Sequence, residues 1–204
     1  MTLIKVCGIT SLDDALAAVE AGADALGFNF YQPSPRYISP ASARDMIGQL
    51  PDRVLKIGVF VNEEIESVLK IAEELRLAAV QLHGDESPEY CHELKGTYVI
   101  KAFGARDDLD LASYKVEAIM LDSKDDLLHG GTGRVFDWSI AQRANSSVPK
   151  LFLAGGLSPE NVAEAIITVR PYAVDACSSL EEAPGKKSRE RMRAFVKAVK
   201  SVET

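Results

Sequence analysis

Reactive chemistry in this chain rests on which of its three cysteines, three histidines and thirty carboxylates close a strand. Cys7 ends the apolar run Leu3–Cys7 and precedes Gly8. Such a cysteine is either a small buried apolar residue or a thiolate acting as base or nucleophile. Lys5, on the same face, favours the anion. Asp122 follows Ile119-Met120-Leu121, and Asp175 follows Ala173-Val174. An unpaired charge is costly to bury, so each carboxylate is a helix cap, an ion-pair partner or a group at the rim of a site. One of the two is expected to transfer a proton and the other to position a substrate. Cys91 falls within a helical segment and reads as structural. Cys177 stays open between the two roles.

Other candidates bind rather than react. Gly155-Gly156 lies between an apolar run and a helix start, where backbone N–H groups cradle phosphate. Ser178 and Ser179 follow the last strand and could complete that cradle, although ordinary turn chemistry also uses such residues. Arg36 sits in the proline-stiffened stretch Tyr31-Gln32-Pro33-Ser34-Pro35-Arg36-Tyr37, and a fixed arginine can clamp a carboxylate through two bonds. His83 opens His83-Gly84-Asp85-Glu86, but no second histidine stands at ligand spacing, so metal binding is only weakly indicated. Gly130-Gly131-Thr132-Gly133 lacks the Lys-Ser/Thr ending of a phosphate loop and reads as a flexible lid.

The elements that must position these residues recur in one order. Eight short apolar runs are expected as strands: Leu3–Cys7, Ala25–Phe30, Leu55–Val61, Ala78–His83, Tyr98–Phe103, Ala118–Asp122, Lys150–Ala154 and Tyr172–Asp175. Amphipathic segments such as Ser11–Ala21, Ser39–Leu50 and Glu63–Leu75 lie between them. Strands alternating with helices give a parallel sheet, and eight units give a single (βα)8 barrel over residues 1–204. An open doubly wound sheet is the alternative, usually with fewer strands. Ser11 and Ser158-Pro159-Glu160 mark helix starts, and Gly22 marks a helix end. Alternation along each strand puts Ile4, Val6, Val80, Leu82, Ile119 and Leu121 against helices. It turns Lys5, Cys7, Gln81, His83 and Asp122 inward. Cys7, His83, Asp122 and Asp175 then meet at the strand ends, where sites of this fold lie.

The formal net charge of −7, with no basic cluster beyond Lys186, Lys187 and Arg189, argues against nucleic acid. Three widely spaced cysteines suggest no disulfide framework, and a reducing cytoplasm is the simplest setting. No run reaches the length of a membrane span, and the first residues do not read as a signal peptide.

Taken in order, several motifs resemble the phosphoribosylanthranilate isomerase family. They are Lys5-Val6-Cys7-Gly8-Ile9-Thr10, Gly27-Phe28, Ser34-Pro35-Arg36-Tyr37-Ile38, Gly58-Val59-Phe60-Val61-Asn62 and Gln81-Leu82-His83-Gly84. Further on come Gly130-Gly131-Thr132-Gly133, Phe136-Asp137-Trp138, Gly155-Gly156-Leu157, Pro159-Glu160-Asn161-Val162 and Pro184-Gly185-Lys186-Lys187. The resemblance implies an Amadori rearrangement of a small phosphorylated aminosugar, without metal or organic cofactor, in a monomer or homodimer. It implies Cys7 as general base and Asp122 as general acid. Arg36 would lie near the anthranilate carboxylate, with His83 and Asp175 as substrate contacts. Gly155, Gly156, Ser178 and Ser179 would hold the phosphate. Two departures stand out: Ala154 where the family usually has serine, and Ala176-Cys177-Ser178-Ser179-Leu180 where it has Val-Ser-Ser-Gly-Val. A serine in place of glycine at 179 restricts the backbone or adds a donor. Rival readings are a sugar-phosphate epimerase or lyase, for which Lys101 is the other strand lysine, and a barrel that binds a phosphorylated ligand without turning it over.

Overall fold

The computed structural model describes residues 1–123 and 137–202. Eight parallel strands close into a barrel in sequence order. They are β1 (Leu3–Val6), β2 (Ala25–Asn29), β3 (Leu55–Phe60), β4 (Ala79–Leu82), β5 (Val99–Gly104), β6 (Ala118–Asp122), β7 (Leu151–Leu153) and β8 (Ala173–Ala176). Around them lie α1 (Leu12–Ala21), α2 (Pro40–Ile47), α3 (Ile65–Glu74), α4 (Pro88–Glu93), α5 (Trp138–Asn145), α6 (Val162–Val169) and α7 (Arg189–Ser201). After β8 come a 3₁₀ turn, Ser178–Leu180, and a small antiparallel ribbon of β9 (Glu181–Ala183) and β10 (Lys186–Lys187). The expected glycine lid 130–133 falls outside the described residues.

Local chemistry sets the ends of the helices. The Ser11 and Ser39 hydroxyls accept from Asp14 N and Ser42 N and so cap α1 and α2. Gly22 ends α1 at φ 107°, a left-handed conformation that glycine adopts without Cβ strain. Two expectations need correction. Residues 105–117, between β5 and β6, form turns and no helix. Asp107, Asp108 and Asp110 there disfavour helix, and Leu109, Leu111 and Tyr114 pack directly on the core, with Tyr114 edge-on to Phe103. Nor does Ser158 cap α6. Its hydroxyl accepts from Glu160 N in a local turn, and the helix begins at Val162 after Asn161.

Strand alternation sorts the core into two. Ile4, Val6, Leu26, Val80, Leu82, Ile119, Leu121 and Val174 pack with helix residues such as Ala15, Val68 and Phe195. Ala25, Ile57, Ala79, Ala102, Ala118, Met120, Phe152 and Ala173 fill the barrel interior. Lys101 belongs to the outer layer, in register with Leu82 and Ile119. Its ammonium is 2.9 Å from Glu86 and also donates to the Gly84 and Ala102 carbonyls. Glu86 in turn accepts from Asn62 N and Gly84 N. Lys101 is therefore an anchor for the loops after β3 and β4, not an amine offered to a substrate.

Removing one member of a buried ion pair leaves the other charge uncompensated. Lys101→Met is therefore expected to lower the unfolding free energy by about 3–5 kcal/mol, read from the urea midpoint. Lys101→Met with Glu86→Gln should recover part of that loss. A single variant as stable as the native chain would contradict the anchoring role.

Candidate active site

The C-terminal ends of the strands bring the expected residues to one rim. Cys7 follows β1 and is 9% exposed, Asp122 ends β6 at 8%, and Asp175 lies in β8 at 7%. Below Cys7, the fully buried Lys5 ammonium meets Asp175 at 2.8 Å. This pair bridges the first and last strands, which are in register at Lys5 and Asp175. Burial opposes the Lys5 charge, but Asp175 and Cys7 together outweigh it and hold the ammonium well above its usual range.

The four titratable groups around this pair are displaced in different directions. A hydrogen bond with the Cys177 thiol, supported by the Lys5 charge, brings the Cys7 thiol down to about 7 against the effect of burial. The same bond and burial push the Cys177 thiol up. Burial, then the Asp175 charge, raises the Asp122 carboxyl to about 6 although Ser123 N donates to Oδ1 at 2.7 Å. His83 Nε2 lies 3.5 Å from Asp122 Oδ2. Burial and Lys5 hold its imidazole down at about 4, so it is neutral near pH 7. The Gln81 amide Nε2 is 2.8 Å from His83 Nδ1. Donation from that amide leaves the imidazole proton on Nε2, toward Asp122.

Asp122, Asp175 and the loops after β7 and β8 line one small cleft with Gly155, Gly156, Ser178 and Ser179. Gly155 stands at φ 80°, and a Cβ there would come within 2.1 Å of Ser123 N. Only glycine lets this loop lie against the base of Asp122. Asn161 braces the turn from below, donating to Gly156 O and accepting from Ser158 N. The Ser179 hydroxyl donates to Leu157 O. At this departure the added hydroxyl ties the two loops together. A larger hollow, beside the loop after β5, is lined by Leu121, Ile140 and surface charges such as Arg143. It lies behind the outward face of β6, away from the paired acid and thiol.

Arg36 is not solvated. Its loop is fixed by Ser34 Oγ, which accepts from Arg36 N and Asn29 Nδ2. The guanidinium binds Glu181 through Nε at 2.8 Å and Nη2 at 2.7 Å. Lys187 Nζ reaches the same carboxylate at 2.8 Å. Glu181 and Lys187 lie in segments whose local pattern gives them no role, and Arg36 stands 145 residues from Glu181. Cys91 is buried on α4, and burial raises its thiol to about 11. Among the described residues no group of His, Cys, Asp and Glu is placed to hold a metal ion, and no helix is long and apolar enough to cross a membrane.

A family model for N-(5′-phosphoribosyl)anthranilate (PRA) isomerase matches residues 4–198. An N-(5′-phosphoribosyl)anthranilate isomerase from Trichlorobacter lovleyi is 49% identical over 203 residues, covering 98% of each chain. The crystal structure of phosphoribosyl anthranilate isomerase from Thermotoga maritima superposes with a TM-score of 0.92 at 45% identity, covering 98% of this chain and all of that one. A phosphoribosyl anthranilate isomerase in complex with reduced 1-(o-carboxyphenylamino)-1-deoxyribulose 5-phosphate has a TM-score of 0.89 at 44% identity, with the same coverage. A thiamine phosphate pyrophosphorylase from Pyrococcus furiosus, 13% identical with a TM-score of 0.65, shares the fold alone.

The thiol environment has a direct readout. The rate of Cys7 alkylation by iodoacetamide should rise with the thiolate, half-maximal near pH 7, and then level off. Cys91 should react far more slowly. A Cys7 midpoint at the ordinary thiol value of about 8.5 would contradict the arrangement.

Proposed function

The chain belongs to the N-(5′-phosphoribosyl)anthranilate isomerase family, and we propose that Cys7 is its general base and Asp122 its general acid. The enzyme converts N-(5′-phosphoribosyl)anthranilate to 1-(2-carboxyphenylamino)-1-deoxyribulose 5-phosphate in tryptophan biosynthesis. The opposed displacement of the Cys7 thiol and the Asp122 carboxyl at one rim carries the assignment.

The reaction needs a proton delivered and a proton removed. Protonated Asp122 gives its proton to the furanose ring oxygen, and the aminosugar opens to an iminium. The Cys7 thiolate then takes the proton from C2, and the resulting enolamine tautomerises to the ketone. β1 and β6 stand three strands apart round the barrel, so the two groups approach a small sugar from different sides. Neutral His83, with its Nε2 proton facing Asp122, stabilises the carboxylate left after proton delivery. Because the thiol titrates above the carboxyl, the active form, thiolate with protonated acid, is the minority one. It amounts to roughly one molecule in twenty midway between the two values.

Binding falls to the loops. The Gly155-Gly156 turn and the Ser178-Ser179 segment present backbone N–H groups to the phosphate. Lys5 neutralises Asp175 beneath them, which lessens repulsion of the anion. The bonds from Arg36 to Glu181 use Nε and Nη2 and leave Nη1 for the anthranilate carboxylate. A cytoplasmic setting fits the three free thiols.

The roles separate kinetically. Loss of substrate fluorescence should show Cys7→Ala and Asp122→Asn each lowering kcat by roughly 10²-fold or more, with little change in KM. Arg36→Ala should instead raise KM, by on the order of 30- to 150-fold for a lost charged bond of about 2–3 kcal/mol. The native kcat/KM should be bell-shaped, falling below about 6 as both groups gain protons and above about 7 as both lose them. Near-native turnover in Cys7→Ala would overturn the assignment.

A further inference from the structure

The rim holds a second thiol that the isomerisation does not consume. Lys5 pairs in register with Asp175, Val6 pairs with Ala176, and Cys7 N donates to Ala176 O at 3.0 Å. Cys7 and Cys177 are therefore the next residues along the two strands. Lys5 and Asp175 meet inside the barrel, and a step of two residues returns each chain to the same face. The two thiols accordingly lie side by side, close enough for each to displace the other's titration. Neighbouring strands run about 4.8 Å apart, within the Cα separation of about 4.4–6.8 Å that a disulfide spans.

The surroundings leave room for the sulfurs and polarise them. A Cβ on Gly8 would come within 2.9 Å of Cys177 Sγ, and one on Gly27 within 2.6 Å of Cys7 Sγ. Lys187 Nζ is 3.8 Å from Cys177 Sγ and donates to its carbonyl at 3.1 Å. Lys5 and Arg36 are the other cations near the pair, and Asp175 and Glu181 the carboxylates bound to them. The pair lies at the C-terminal mouth of the barrel, with Cys7 buried and Cys177 partly exposed.

We propose that Cys7 and Cys177 form a peroxide-responsive dithiol, a modification site whose oxidation to a disulfide reversibly removes the catalytic base. The Cys7 thiolate attacks hydrogen peroxide: an S–O bond forms, the O–O bond breaks, and hydroxide leaves and is protonated to water. Cys177, giving up its proton, attacks the sulfenic sulfur. The S–S bond forms, the S–O bond breaks, and a second water leaves. Two electrons pass from the sulfurs to the peroxide. A dithiol reductant reverses the bridge by exchange.

Loss of activity rests on Cys7 being the base; formation of the bridge does not, and mass spectrometry reads it separately. The native enzyme is treated with hydrogen peroxide, denatured, and blocked with an alkylating agent. The expected product has lost two hydrogens, alkylates at Cys91 alone, and yields a linked peptide joining Cys7 to Cys177. Activity should fall in step with the bridge and return almost fully with dithiothreitol. In Cys177→Ser, excess peroxide should carry Cys7 on to the sulfinic acid, and dithiothreitol should restore little. A native protein with sulfinic Cys7 and free Cys177 thiol would overturn the proposal and leave the role of Cys7 standing. A complete bridge in fully active protein would overturn the switch and that role together.

Discussion

The buried ion pair between Lys5 and Asp175 is the constraint on which the site depends. It joins the first strand to the last, at the seam where the barrel closes. An ammonium with no solvent access is tolerable only beside a counter-charge, so closure of the fold and the charge state of its mouth are fixed together. The pair also acts on its neighbours with opposite sign. Lys5 lies close enough to Cys7 to favour the thiolate and close enough to His83 to keep it neutral. Asp175, on the other side, raises the cost of ionising Asp122. A dipolar pair beneath a dry rim thus biases a base and an acid on strands three apart round the barrel.

Shape follows from where side chains are missing. Gly155 allows the loop after β7 to lie against Ser123, which closes the dry wall behind Asp122. Gly27 and Gly8 yield the space filled by Cys7 Sγ and Cys177 Sγ. Beside them, Glu181 holds Arg36 and Lys187 together, which ties the loop after β2 to the loop after β8. The Ser179 hydroxyl then links the loop after β8 to the loop after β7. Each contact is modest alone. Joined in a chain, they fix the loops after β2, β7 and β8 to one another.

Much of this could be read from the sequence because it is local. Strand alternation separated Ile4 and Val6 from Lys5 and Cys7, and Ile119 and Leu121 from Met120 and Asp122. Serine caps and Gly22 marked helix ends within a turn. The misses are long-range or contextual. Residues 105–117 occupy a helix position in the repeat, yet three aspartates and direct core contacts of Leu109 and Tyr114 leave them as turns. The Ser-Pro-Glu signal at 158–160 is a turn because Asn161 is drawn toward Gly156 O. Nothing near Arg36 reveals Glu181, and nothing near Cys7 reveals Cys177. Those partners meet only because the barrel brings its eighth strand back to its first. Charge displacement at Cys7 was legible in direction from Lys5, but its largest source, the second thiol, was not.

The central claim is that burial and the Asp175 charge lift the Asp122 carboxyl to about 6, so that a protonated fraction coexists with the Cys7 thiolate. Infrared difference spectroscopy between the native enzyme and Asp122→Asn, followed through pH, tests it on the carboxyl group itself. The expected result is a protonated carboxyl C=O band, absent from the variant, that persists as pH rises and disappears around about 6. Loss of that band by about pH 4, the ordinary value for an aspartic acid, would contradict it.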